Sequence, residues 1–86
     1  MRGTLQNEIK KRVTAEFEHQ RKVHHWTKQR MAEELIMDER SYYDLEAGIY
    51  LCNMITFVLL IRLSGSSAAK FLLELIEIAD KEFVLT

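Results

Sequence analysis

The sequence predicts an all-α domain of five helices, and three observations carry that prediction. The 86 residues hold no proline and three glycines, which leaves little material for turns. Apolar residues recur at the three- and four-residue spacings of amphipathic helices. Thr, Asp, Asn or Ser stands at the head of each periodic stretch, where helix N-caps belong. A chain this short buries about two thirds of its unfolded surface and makes a single domain.

Helix 1 is expected from Thr4, acting as its cap, to about Val23. Leu5, Ile9, Val13 and Phe17 repeat every four residues as a narrow apolar stripe, so this helix packs on one side only. Thr27 caps helix 2, which turns Met31, Ala32 and Leu35 inward; Ala32 lets another helix cross closely. Ile36-Met37-Asp38 breaks the period, Asp38 caps helix 3 (Glu39 to Ala47), and Gly48 stops it as the C′ residue. Two short helices on a tight turn read as a helix-turn-helix.

Helix 4, from Asn53 to Gly65, is apolar almost all round and is expected to be the central helix. Ser66 or Ser67 caps helix 5, which continues to about Glu82. Its polar side is one stripe, Lys70, Glu74, Glu77 and Lys81, with favourable i,i+4 charge pairs. The rest of helix 5 is more apolar than a monomer of this size covers, which points to a homodimer through helices 4 and 5.

Net charge is −1, from 12 basic and 13 acidic side chains, and taken whole it speaks against a polyanion binder. The distribution differs: residues 1–30 carry eight basic against three acidic side chains, a net of +5, and the remainder four against ten, a net of −6. The single cysteine, Cys52, excludes an intramolecular disulfide and reads as a small buried hydrophobe. Met1 to Glu8 lacks the apolar core of a signal peptide, and Ile49 to Ile61 is too short to span a bilayer. The expected location is the cytoplasm. His19, His24 and His25 lack the i,i+4 spacing of a helical metal site, so neither metal nor cofactor is expected. Trp26, ahead of a capping threonine, reads as a hydrophobic staple. No Ser-His-Asp set, glycine-rich phosphate loop or paired-carboxylate motif is present, and an enzyme is not expected.

On helix 3, the 100° step places Tyr42, Leu45, Glu46 and Ile49 on the inner side and Arg40, Tyr43, Asp44 and Ala47 on the outer. A carboxylate on the inner side needs a partner. The outer stripe is of the kind a major groove meets.

Trp26-Thr27-Lys28-Gln29-Arg30-Met31-Ala32-Glu33-Glu34-Leu35, followed by Arg40-Ser41-Tyr42-Tyr43-Asp44-Leu45-Glu46-Ala47-Gly48, resembles the Xre/Cro/C1 helix-turn-helix family, the lambda-repressor-like fold. The likeness spans about residues 18–65. It implies a five-helix lambda-repressor-like domain, with residues 1–65 as a four-helix DNA-binding core and 66–86 as a C-terminal dimerisation helix. It further implies an Arg21–Glu46 salt bridge that satisfies the inward carboxylate. Arg40, Ser41, Tyr43 and Asp44 become candidate base contacts, and Arg21, Lys22, Lys28, Gln29 and Arg30 candidate phosphate contacts on double-stranded DNA. The chain departs from the family pattern at Lys28, where a glutamine is usual, and at Ile36, where a glycine is usual. Its helix 3 is also acidic, with Asp38, Glu39, Asp44 and Glu46. The expected function is a sequence-specific transcriptional regulator of repressor type. The competing expectation is an antitoxin-like or adaptor module that binds protein.

Overall fold

The computed structural model describes residues 2–84, and the side chains of residues 3–82; residues 1, 85 and 86 of the expected domain lie outside it. The described chain is all-α, with no strand. Its elements are α1 (Arg2–Val23), α2 (Lys28–Glu34), α3 (Glu39–Glu46), α4 (Met54–Ser64), a 3₁₀ turn (Gly65–Ser67) and α5 (Ala68–Val84). Counted as uninterrupted helical runs there are four, because α4, the 3₁₀ turn and α5 follow one another with no unassigned residue between them. The expected break between helices 4 and 5 is a change of direction.

Three N-caps form as side-chain acceptors. Thr27 accepts from Arg30 N, Asp38 from Ser41 N and Asn53 from Thr56 N, at 3.1, 2.7 and 2.8 Å. Each satisfies one of the donors a helix start leaves unpaired. Two expected caps are corrected. Thr4 lies inside α1, which begins at Arg2. Ser67 Oγ donates to Ser64 O at 2.8 Å and closes the 3₁₀ turn rather than capping α5.

The helix ends share one device. At His25, Ile36 and Gly48 the backbone turns to φ +58, +56 and +79. The next residue's N–H reaches back five positions: Trp26 N to Arg21 O, Met37 N to Ala32 O, and Ile49 N to Asp44 O, each at 3.0 Å. These are Schellman caps on α1, α2 and α3. Glycine takes the left-handed position without cost, whereas β-branched Ile36 pays about 1–2 kcal/mol there. Past its cap Ile49 is exposed, so it does not join Tyr42 on the buried side as the helical step suggested.

Every helix contributes to one core of Val13, Phe17, Met31, Ala32, Leu35, Tyr42, Leu45, Leu60 and Phe71. Each full burial of a large apolar side chain is worth about 1.5–3 kcal/mol. Phe17 and Tyr42 meet edge to face, with ring centroids 6.5 Å apart. α1 packs on one side, and that side also buries Glu16 and Gln20 beside Val13 and Phe17. Arg12 explains their burial: it pairs with Glu16 at 3.0 Å and with Glu74 of α5, and lies 4.9 Å over the Phe71 ring. Gln20 Nε2 donates to the second Glu16 oxygen at 2.8 Å. Arg12 thus holds α1 against α5, and its guanidinium draws the Glu74 carboxyl below the usual range.

Of the expected polar stripe of helix 5, Lys70, Glu77 and Lys81 are exposed and only Glu74 is drawn to a neighbouring helix. Glu74 turns toward α1, while Leu72, Leu73 and Ile76 are exposed. α4 is not fully enclosed either. It buries Thr56, Leu60 and Ser64, while Met54, Ile55 and Val58 are exposed. By length and composition the run Met54–Glu82 is apolar enough to cross a membrane. It is not one straight rod: Gly65 at φ +55 turns the chain, and the Phe57 and Phe71 rings lie 6.1 Å apart. In a straight helix fourteen residues span about 21 Å.

Candidate nucleic-acid interface

α2 and α3 form a tight pair joined by residues 35–38 and braced from behind by α1. Arg21 Nε and Nη2 donate to the two oxygens of Glu46, both at 3.0 Å, and Arg21 Nη1 donates to Trp26 O at 3.3 Å. Tyr42 Oη donates to the same carboxylate. The side chains of Arg21 and Glu46 are 17% and 6% exposed, so the pair sits in a setting where charge is not easily lost to water. The Glu46 hydrogen bond raises the Arg21 pKa, and burial raises that of Tyr42. This pair fixes which side of α3 faces outward. It also turns Arg21 inward, where its guanidinium is engaged by Glu46 and by Trp26 O.

The outward side of α3 carries Arg40, Tyr43 and Asp44. Arg40 is 85% exposed and its nearest carboxylate is Asp44, at 3.7 Å. Tyr43 Oη donates to Glu39 at 2.9 Å, which raises the tyrosine pKa. Ser41 is less available: its Oγ donates to Asp38 at 2.8 Å, and the Tyr50 hydroxyl donates to its carbonyl at 2.7 Å. The acids of α3 are largely engaged. Asp38 caps the helix, held low chiefly by the Ser41 N–H; Glu39 accepts from Tyr43; and Glu46 belongs to the Arg21 pair.

Lys28, at the start of α2, places Nζ 5.1 Å over the Tyr43 ring, a cation–π contact between the two helices. Lys28 and Tyr43 therefore share one surface. Arg30 pairs with Glu34 at 2.9 Å and lies 5.3 Å over Trp26, which stacks on His24 with centroids 4.4 Å apart. Trp26 is thus half-buried under Arg30, a partial staple. Lys22 pairs with Glu18 at 2.7 Å on the exposed end of α1 and draws that carboxyl below its ordinary range. Gln29 is exposed beside Lys28.

The structure brings together Lys28, Arg40, Tyr43 and Asp44 around α3, leaves Gln29 exposed on α2, and places Lys22 and Arg30 toward the α1–α2 corner. The Lys28–Tyr43 contact was missed in the sequence because it joins residues fifteen apart through the turn. The α1 hub of Arg12, Glu16 and Gln20 was missed as well, although the spacing of Val13, Glu16, Phe17 and Gln20 signals one helix face. Among the described residues no three His, Cys, Asp or Glu side chains converge as metal ligands do. Cys52 is half-buried, and desolvation raises its thiol pKa, a setting that suppresses reactivity.

No protein-family model, curated protein or solved structure matches the chain.

Proposed function

We propose that this chain is a sequence-specific DNA-binding transcriptional regulator of repressor type, built as a lambda-repressor-like helix-turn-helix domain that reads the major groove with α3. The observation that carries the reading is the two-sided character of α3. Its inner side is pinned to α1 through Arg21 and Glu46, and its outer side presents exposed Arg40 and Tyr43 beside Lys28. Eight helical residues make a rod about 12 Å long, comparable with the width of the major groove.

In this reading Arg40 contacts guanine with both arms of its guanidinium. Its 3.7 Å approach to Asp44 is loose enough to be exchanged for a base. Asp44 accepts from a cytosine amino group, and Tyr43 and Ser41 are secondary contacts. Lys22, Lys28, Gln29 and Arg30 meet phosphates and set register and salt dependence. The active species is a homodimer through α4 and α5, with residues 66–86 as the dimerisation element, because two coupled half-sites multiply the specificity of one short helix. The protein works in the cytoplasm, on the nucleoid, without cofactor or catalysis. The test is selection of bound duplexes from a random pool, repeated with Arg40→Ala. The expected result is a ten- to hundredfold loss of discrimination at one base pair, from the roughly 1–3 kcal/mol a bidentate arginine supplies. Unchanged site preference removes Arg40 as the reader.

A second reading is favoured by Ile36, which is 84% exposed and lies with exposed Ile49 at opposite ends of α3. Apolar side chains beside an acidic helix suit a protein partner better than phosphates. Under that reading the same fold is an antitoxin-like or adaptor module. Ile36→Asp together with Ile49→Asp then abolishes partner binding, whereas DNA selection yields no consensus.

A further inference from the structure

The two-copy part of the reading above is sharpened by the charges that border the exposed side of α5. Ala69, Leu72, Leu73 and Ile76 form an apolar stripe on that side, with Leu73 59% exposed. Lys70 and Glu77 lie two helical turns apart along one border of the stripe, and both are exposed. Among the described residues neither forms an ion pair; Lys70 acts on Glu74 only at longer range, since Glu74 is held by Arg12.

We infer that the occupant of this face is a second copy of the chain, packed as an antiparallel α5–α5 pair in which Lys70 of each protomer meets Glu77 of the other. The geometry is self-complementary. A two-fold axis normal to an antiparallel helix pair brings the same border of both helices together, so residues equally far from its centre become neighbours. Lys70 and Glu77 are symmetric about the point between Leu73 and Glu74. The apolar stripe is symmetric about the point between Leu72 and Leu73. The two centres differ by one residue, about 1.5 Å along the helix, well within side-chain reach. One register therefore buries the leucines and pairs both sets of charges. An unrelated partner requires no such symmetry in this chain.

Sedimentation of the full chain tests the inference, with Lys70→Glu, Glu77→Lys and the double exchange compared at low salt. The expected wild-type species is a dimer at micromolar concentration. Each single reversal converts two attractive pairs to repulsive ones and raises the dimer dissociation constant about tenfold, and the double exchange restores it. Leu73→Glu gives a monomer whose helical circular dichroism is unchanged. A wild-type monomer overturns the inference, as does a dimer indifferent to the reversals or a double exchange weaker than either single. A monomer that instead co-sediments with phosphatidylcholine vesicles overturns it in favour of a lipid surface. The DNA reading is judged separately by duplex binding: salt-dependent binding without the predicted dimer removes this inference alone, and the predicted dimer without DNA binding removes only the DNA reading.

Discussion

Removing the Glu46 carboxylate, by Glu46→Ala, strikes the contact that orients α3. Arg21 then keeps only the 3.3 Å contact to Trp26 O, and the buried Tyr42 hydroxyl loses its acceptor. Exposed ion pairs contribute at most about 1 kcal/mol, while breaking a buried pair costs about 3–5 kcal/mol. Exposures of 17% and 6% put this pair near the buried limit, moderated by the open edge of Arg21. The expected loss is about 2–3 kcal/mol. A domain of 86 residues has about 4–13 kcal/mol in total, so Tm falls by roughly 10–20 °C. Urea unfolding followed by circular dichroism measures the change, and the double-mutant cycle with Arg21→Ala isolates the pair. The coupling is expected above about 1.5 kcal/mol, because both single variants destroy the same two hydrogen bonds. A loss under about 1 kcal/mol, or strictly additive variants, refutes the reasoning.

Other outcomes follow from the same geometry. Ile36→Gly relieves a left-handed β-branched residue and raises stability by about 1 kcal/mol, read as a higher urea midpoint. Phe17→Ala empties a fully buried site against Tyr42 and costs about 3–5 kcal/mol, enough to leave the chain marginal at 37 °C by thermal melting. The carboxyls of Glu18, Asp38 and Glu74 are all held low, by Lys22, the Ser41 N–H and Arg12 respectively. A depressed folded pKa stabilises above the unfolded value and is lost as pH falls through the folded one. Stability is therefore flat from neutral pH to about 5 and declines below about 4, and Asp38→Asn shallows that decline. Cys52 reacts with a thiol reagent more slowly than in the urea-unfolded chain, since burial disfavours its thiolate.

Much of the architecture was legible in local chemistry. Thr27, Asp38 and Asn53 announced helix starts because a cap needs only one side chain and one nearby N–H. Gly48 announced a stop because it alone among the three Schellman positions has the residue type that left-handed backbone favours. His25 and Ile36 adopt the same conformation without that signal, so the turn between α2 and α3 could not be read from composition. Periodicity placed Tyr42, Leu45 and Glu46 together, but it could not place Ile49, which follows the cap and leaves the helical path. On α5 the pattern showed which residues share a side, not which side turns inward. Arg12 decides that by drawing Glu74 toward α1, a contact between residues 62 apart. The surface of α3 was legible as a set of residues; the Lys28–Tyr43 contact across it depends on how two helices cross.

The central claim is that α3 and its basic surroundings meet DNA, and a salt series tests it most directly. Fluorescence anisotropy of the protein on a random-sequence duplex is measured between about 50 and 200 mM salt. Lys22, Lys28 and Arg30 in each of two copies, with or without Arg40, correspond to about six to eight phosphate contacts. The account predicts a slope of log K against log salt near −5 to −7, and an affinity loss of about 10³-fold or more over that range. No binding at about 50 mM salt, or an affinity that salt does not change, contradicts it.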